Sequence, residues 1–243
     1  PDSRSARYGS GKAVRRVEDD ALLTGLGQFA DDFSLPGQAL LHVLRSPHPH
    51  ARIASIDAKV AAAMPGVVAI LTGEDLVRAG VRPLVSSADF KRGDGSPTAA
   101  PPHRALAVGT VRYVGEAVAA IVAETMHQAR DAAEAVDVRY EPLPSVADAS
   151  AAVAPGAPLV WPAATGNVAC EMRHGHAAKV ADAFARAAHT VSLDLVNQRV
   201  IPAPIEPRAT LASVDAASGR LTLRLSCQTP TGLRDELAGA VLG

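Results

Sequence analysis

The strongest fold signal in the chain is a run of three regular segments between residues 118 and 140. Val118–Val122 reads VAAIV, an apolar stretch short enough to be a buried strand, and it is followed by a helical pattern over Thr125–Ala135 that begins on a plausible N-cap. Val136–Tyr140 favours a second strand, which Pro142 and Pro144 terminate because proline has no N–H to donate to a sheet. This order predicts an αβ unit, after which a first domain can close.

Shorter segments are predicted on both sides of this unit. The turn-forming sequence Ser46-Pro47-His48-Pro49 predicts a hairpin or a sharp corner, and the aperiodic stretch between Arg78 and His103 predicts a long loop. Glycine-ended Asp215–Gly219 predicts a hairpin loop. The other predicted strands are Ala39–Arg45, Ala51–Asp57, Val67–Leu71, Thr190–Val200, Ala209–Val214 and Arg220–Leu225. The other predicted helices are Ala58–Met64, a short one after Thr72, Lys179–Ala188 and Thr229–Leu242.

Composition and charge exclude several classes of protein. The 243 residues are 48% hydrophobic, which predicts one large globular domain or two ordinary ones. With 24 basic and 25 acidic side chains, the chain has no bulk field to hold a polyanion, so we expect no nucleic-acid or anionic-membrane partner. No stretch approaches the roughly 20 apolar residues of a membrane span, and the start has no signal-peptide core. We therefore expect a cytoplasmic protein.

The cysteine count limits the chemistry of the chain itself. Its two cysteines, Cys170 and Cys227, allow no disulfide framework and no CxxC zinc site. An iron–sulfur cluster ordinarily needs four thiolates, so any such centre must lie on another chain or segment. Because the first residue is Pro1, we expect a processed chain, a part of a longer polypeptide, or a missing first residue.

Six short segments are informative because they occur in a particular order. They read GQFADD at 27–32, LPG at 35–37, RSPHPHARI at 45–53, MPGV at 64–67, VRYVGEAVA at 111–119 and VRYEPLP at 138–144. In this order they resemble the a/b hammerhead domain of the molybdenum hydroxylase family, which comprises the large subunits of xanthine dehydrogenase, aldehyde oxidoreductase and carbon monoxide dehydrogenase.

Two further segments resemble the start of the same family's molybdopterin-binding region. They are EPRA at 206–209 and CQTP at 227–230. The resemblance implies an α+β fold in which an a/b hammerhead domain precedes an incomplete α/β molybdopterin-binding domain. We expect the hammerhead domain over residues 12–147, a linker over 148–165, and the N-terminal part of the molybdopterin-binding domain over 166–243.

Gln228 is the candidate cofactor-binding residue that this resemblance implies. An amide both donates and accepts hydrogen bonds, so it can hold an oxo group or a pterin edge without adding charge. Without the resemblance, a loop glutamine with no function would be the favoured interpretation. Glu206 is expected to be structural, as an acceptor for buried backbone donors or for Arg208. The resemblance places no catalytic residue and no metal ligand on this chain, because the family's glycine-rich loop and catalytic glutamate follow later in sequence.

Other suggestive residues have simpler interpretations. Cys170, His174 and His176 lack the spacing of a defined tetrahedral site, which favours a surface loop, and His176 stands where the family has an acidic helix cap. His48 and His50 are expected to help set the corner around Pro49.

Two more local features are also interpreted as structural. GSGK at 9–12 lacks the full spacing of a phosphate-binding loop and is followed by Ala13. Cys227 is expected to be a small buried strand residue.

The resemblance implies a portion or split subunit of a molybdenum-dependent hydroxylase or dehydrogenase. Such an enzyme oxidises an aldehyde, an N-heterocycle or a similar small molecule with water as oxygen source. The implied cofactor is molybdenum-molybdopterin, shared with the missing segment or a partner. The implied partners are the remaining molybdopterin-binding large-subunit segment or chain, an iron–sulfur subunit and an FAD subunit.

The alternative is a non-catalytic hammerhead scaffold that docks partner chains. Both hypotheses predict that this chain alone is inactive. They differ at Gln228, because a scaffold would tolerate Gln228→Ala without losing bound molybdenum. If the second domain is incomplete, its uncovered apolar surface also predicts association with a partner or aggregation.

Overall fold

The computed structural model describes residues 16–84, 90–198 and 200–243, so the GSGK sequence at 9–12 lies outside the described part. The chain forms two units. The larger contains Gln38–Val196 and Thr229–Gly243, and the smaller contains Pro1–Gly37 and Asn197–Gln228. Among the described residues, no helix has both the length and the apolar character needed to cross a membrane.

Helices and strands alternate through most of the described sequence. The strands are β1 (Leu40–Arg45), β2 (Ala51–Asp57), β3 (Val67–Thr72), β4 (Thr110–Val111), β5 (Ala117–Ala123), β6 (Asp137–Pro142), β7 (Thr210–Val214) and β8 (Leu221–Leu225). The α-helices are α1 (Asp19–Leu23), α2 (Lys59–Ala62), α3 (Gly73–Arg78), α4 (Met126–Glu134), α5 (Ala149–Ala152), α6 (Ala177–Arg186) and α7 (Pro230–Asp235). Short 3-10 helices cover Ala30–Asp32 and Thr165–Asn167, and α7 continues as a π-helix over Glu236–Val241.

Strand β5 is the centre of a three-stranded antiparallel sheet in the larger unit, with β1 and β3 at its edges. Five of its seven residues are buried, which explains why its sequence is continuously apolar rather than alternating. Helix α4 packs on this sheet through the buried Ala129, Ala132 and Ala133, whose small side chains allow close approach. The predicted N-cap is confirmed, since the Gln128 N–H donates to the Thr125 hydroxyl over 3.3 Å.

A second antiparallel sheet has the order β4-β2-β6. The predicted strand, helix and strand of the αβ unit are confirmed as elements, but β5 and β6 lie in different sheets. Strands β1 and β2 are likewise in different sheets, so the segment between them is a corner and not a hairpin. The physical reason lies in the backbone hydrogen bonds of Ser46. Its carbonyl oxygen accepts from the Gly115 N–H (2.7 Å), and its N–H donates to the Glu116 carbonyl (2.8 Å), so it pairs with the segment before β5 and not with β2.

Two long connections are tied down by isolated contacts. The loop predicted after Arg78 is confirmed for the residues that the structure describes. Its pairing is limited to isolated β-bridges, such as the one between Leu84 and His103. Residues 85–89 of this loop lie outside the described part of the chain. The expected linker folds around Asn167. Its side-chain amide donates to the carbonyls of Ala152 (2.8 Å) and Pro158 (2.9 Å).

The strand predicted over Thr190–Val200 is wrong for the residues that the structure describes there. Residues 190–198 and 200 are irregular and exposed, with Val191 92% and Leu195 81% accessible. Alternating apolar residues form a strand only when a neighbour accepts their backbone hydrogen bonds, and no described strand pairs with them. Helix α6, which precedes this segment, is confirmed as a helix but is exposed along its whole length.

The smaller unit is built on the β7–β8 hairpin, which confirms the prediction. Residues Thr210 and Leu225 are opposite one another in its antiparallel register. In the connecting loop, an Asp215 carboxylate oxygen accepts from the N–H of Ser218 (2.8 Å) and from its hydroxyl (2.6 Å), and Gly219 has a positive φ of 69°. These local bonds close the turn.

Candidate cofactor-binding site

Gln228 lies three residues beyond the last residue of β8 and is exposed. Its amide is therefore accessible to a ligand. The chain continues directly into α7, which begins at Pro230 as predicted for a proline in the first helical turn.

Glu206 is a half-buried acceptor that connects two segments of the smaller unit. Its Oε1 accepts a hydrogen bond from the Ala30 N–H (3.3 Å), and its Oε2 accepts one from the Ser226 hydroxyl (3.1 Å). The expectation of a structural acceptor is confirmed. The alternative partner Arg208 forms no ion pair within the described residues. Ser226 stands two residues before Gln228, so this contact restrains the backbone that carries the candidate ligand.

The expectation of a buried Cys227 is wrong, because its side chain is exposed. Strand β8 ends at Leu225, so Cys227 has already left the sheet that would have covered it. The two cysteines of the chain are not bonded to each other.

The loop before α6 carries Cys170, His174 and His176, and all three are exposed. Their predicted position on a surface loop is confirmed. His176 is the N-cap residue of α6 but makes no side-chain cap hydrogen bond. Within the described ranges, no three His, Cys, Asp or Glu side chains are grouped so that they could hold a metal ion.

His48 and His50 stabilise the corner between β1 and β2, as predicted. The His48 ring lies 4.8 Å from the Tyr140 ring, and His50 Nδ1 is 2.8 Å from the Pro144 carbonyl oxygen. Burial raises the pKa of Tyr140 above its ordinary value of 10.0, and a hydrogen bond with Ser46 opposes that rise. These histidines have an architectural role.

Sequence reasoning missed the contact between Arg112 and Trp161. The guanidinium carbon lies 3.5 Å from the centre of the indole ring. Both residues line a cavity in the larger unit. No sequence signal could have paired them, because they are 49 positions apart and no motif contains both.

Comparison with known proteins accounts for most of the chain. Residues 24–144 match the family model described as "Aldehyde oxidase and xanthine dehydrogenase, a/b hammerhead domain", and residues 160–243 match the molybdopterin cofactor-binding domain. The chain belongs to the molybdenum hydroxylase family of xanthine dehydrogenase and aldehyde oxidase. Its fold is accordingly an a/b hammerhead domain followed by the start of a molybdopterin-binding domain.

Individual members of the family are clearly similar. The carbon monoxide dehydrogenase large chain of Afipia carboxidovorans is 36% identical over 239 residues, which cover 93% of this chain and 28% of the relative. The crystal structure of quinoline 2-oxidoreductase from Pseudomonas putida 86 superposes with a TM-score of 0.83 at 33% identity, covering 94% of this chain and 28% of that one. The Cu,Mo-CO dehydrogenase structure gives a TM-score of 0.76 at 33% identity, over 94% and 29% of the two chains. The chain thus spans less than a third of the length of these relatives.

The chemistry of one candidate side chain, Gln228, is compatible with a polar cofactor such as molybdopterin. The exposed Gln228 amide can donate to and accept from a polar ligand without adding charge. Glu206 fits a supporting role, because both of its carboxylate oxygens are already engaged by Ala30 and Ser226. One amide could bind only a few of the polar atoms of such a cofactor, so other residues would have to bind the rest.

Proposed function

We propose that this chain is the N-terminal portion or a split subunit of a molybdenum-dependent hydroxylase or dehydrogenase. The substrate would be an aldehyde, an N-heterocycle or a similar small molecule, and water would be the oxygen source. The observation that carries the proposal is the consecutive match to the hammerhead and molybdopterin-binding domains. We assign the hammerhead domain to residues 12–147, the linker to 148–165 and the cofactor-binding portion to 166–243.

Gln228 would bind the cofactor, and no residue of this chain would act as the catalytic base. The molybdenum-molybdopterin group supplies the redox chemistry when bound. The Gln228 amide would orient it by hydrogen bonding, and Glu206 would hold the preceding backbone in place through the Ser226 hydroxyl.

Electron transfer would require partner chains or segments. The two cysteines of this chain are fewer than the four thiolates that an iron–sulfur cluster ordinarily needs. We therefore propose an iron–sulfur subunit and an FAD subunit as partners, with the remaining molybdopterin-binding segment supplied by the same polypeptide or another. We also propose a cytoplasmic location, which is supported by a sequence with only two cysteines, too few for the disulfide framework of many secreted proteins.

The first test is to tag the chain in its native host, isolate it gently, and identify its partners and its molybdenum content together. We expect molybdenum to co-purify with the remaining molybdopterin-binding region and an iron–sulfur subunit. Isolation of the chain alone and free of metal would contradict the subunit proposal.

A second test examines Gln228 within that assembly. Gln228→Ala should lower the bound molybdenum and pterin, measured by elemental analysis and pterin fluorescence, while the co-purifying chains stay the same. Gln198→Ala is the matched control, because Gln198 is also an exposed glutamine. Unchanged molybdenum and pterin in Gln228→Ala would instead favour the scaffold hypothesis.

A further inference from the structure

A cavity of about 260 Å³ lies in the larger unit, and none of the residues assigned above to the cofactor lines it. Arg104, Arg112 and Glu116 contribute its charged groups, and Tyr113, Val160 and Trp161 are among its apolar and aromatic walls. This volume is below the roughly 300–1,000 Å³ of drug-sized sites, so an occupant must be small.

The Arg112 guanidinium is held in place, and no carboxylate among the described residues accepts a hydrogen bond from it. It stacks on Trp161 at 3.5 Å, and its Nη1 donates to the Thr110 carbonyl over 3.0 Å. Its Nε is buried and has no hydrogen-bond partner within the described residues. Burial lowers the pKa of Arg112, and the charge of Glu116 opposes this. The cavity wall thus contains an oriented cation for which an anion would be a favourable neighbour.

Among the described side chains that line the cavity, positive charges outnumber negative ones. The Glu116 carboxylate accepts from the backbone N–H of Arg112 and not from its guanidinium. Arg104, also in the wall, forms no ion pair with any described residue. Two guanidinium groups therefore face one carboxylate, which is already engaged by the backbone.

We propose that this cavity binds a small organic acid. Its carboxylate contacts the guanidinium groups of Arg112 and Arg104, and its apolar body packs against Val160 and Tyr113. The planar guanidinium suits a carboxylate better than any other side chain does, because its N–H donors match the spacing of the two oxygens. This proposal is independent of the molybdenum cofactor and of Gln228.

The chain contains its own reporter for the test, because Trp161 is its single tryptophan. The purified 243-residue chain is titrated with benzoate and with benzamide, the neutral molecule of nearly the same shape, while Trp161 emission is recorded. We expect a saturable change with benzoate and at least about tenfold weaker binding of benzamide, because the charge-assisted hydrogen bonds are lost. The absence of a saturable change with benzoate, or equal binding of the two molecules, would overturn the proposal.

Variants identify the cations that are responsible. Arg112→Gln and Arg104→Gln should each weaken benzoate binding by about tenfold. Arg130→Gln is the control, because Arg130 is exposed on α4 and does not line the cavity. Circular dichroism verifies that each variant is folded. If Arg112→Gln unfolds, the Arg104→Gln variant decides the test, because the Arg104 substitution leaves the Arg112–Trp161 contact intact. Unchanged benzoate affinity in a folded Arg104→Gln variant, or an equal loss in Arg130→Gln, would contradict the assignment.

Discussion

At the scale of single residues, side chains without catalytic roles restrain the backbone near the candidate site. Glu206 is the best example, because its two oxygens accept from the Ala30 N–H and the Ser226 hydroxyl. These partners are 196 positions apart in sequence, yet one carboxylate contacts both. Its loss therefore affects both the stability of the smaller unit and the backbone that leads to Gln228.

We expect Glu206→Gln to lower the free energy of unfolding by about 1–2 kcal/mol. The glutamine amide keeps one acceptor oxygen but places an NH₂ donor where the second hydrogen bond was accepted. Urea denaturation measures the change. Glu18→Gln is the control, because Glu18 is an exposed glutamate of the same unit. Equal stability of the two variants would show that the Glu206 contacts contribute nothing measurable.

A second prediction concerns Gly73, the buried first residue of α3. A Cβ at this position would lie 2.3 Å from the Ala107 carbonyl oxygen, so backbone would have to move. We expect Gly73→Ala to destabilise the chain by about 1–3 kcal/mol in thermal or chemical denaturation. Gly239→Ala should have a much smaller effect, because no described atom from elsewhere in the chain lies within 4 Å of its Cβ position. If Gly73→Ala left the free energy of unfolding unchanged, the backbone at Ala107 would have to move away from the added methyl group at little cost.

At the scale of the element, α3 shows how a short helix begins at a defined residue. The Asp75 N–H donates to the Thr72 hydroxyl oxygen (3.4 Å), and an Asp75 carboxylate oxygen accepts from the Thr72 N–H (2.8 Å) and hydroxyl (2.7 Å). This reciprocal capping satisfies donors that a helix N-terminus leaves unpaired. The side-chain hydrogen bond from Thr72 is the main cause that lowers the pKa of Asp75 below its ordinary value of 3.8.

This cap predicts a specific response to acid. Because folding lowers the pKa of Asp75, its stabilising contribution is fully present above 3.8 and is lost as pH falls through the lower folded-state value. The free energy of unfolding should therefore fall less in Asp75→Asn than in the unmodified chain when pH is lowered below 3.8. Urea denaturation across a pH series measures this, with Asp131→Asn on α4 as the control. An acid response that Asp75→Asn leaves unchanged would contradict the prediction.

At the scale of the whole molecule, large apolar side chains of α6 and of the segment that follows it are exposed in the part of the chain that the structure describes. Phe184 of α6 is 62% exposed, and Val191 and Leu193 in the segment that follows are 92% and 76% exposed. Exposed apolar side chains favour association with a partner or aggregation when they lie close together on a surface.

Phe184→Glu should reduce self-association of the isolated chain, because it places a charge within the exposed apolar face of α6. Sedimentation velocity measures the distribution of species, and binding of a hydrophobic dye should fall in parallel. Ala178→Glu adds the same charge on the same helix without removing a large apolar side chain, so it is the matched control. A monodisperse monomer in the unmodified chain would contradict this prediction.

The amino-acid sequence determined the features whose hydrogen bonds close within a few residues. Thr72 and Asp75 define the start of α3, and Asp215 with Gly219 closes the β7–β8 hairpin, because each needs only its near neighbours. The motifs also identified the family and made Gln228 the candidate ligand, because several short matches in the family's order are more specific than any one of them.

Tertiary structure decided how these elements pair. The sequence around α4 predicts both β5 and β6, but only their pairing with distant strands places them in separate sheets, since β5 pairs with β1 and β3 and β6 pairs with β2. Thr190–Val200 has the alternation of a strand but no partner among the described strands, so the pattern alone could not make it one. The contact of Arg112 with Trp161 joins residues that only folding brings together, because short-range patterns contain no information about distant neighbours.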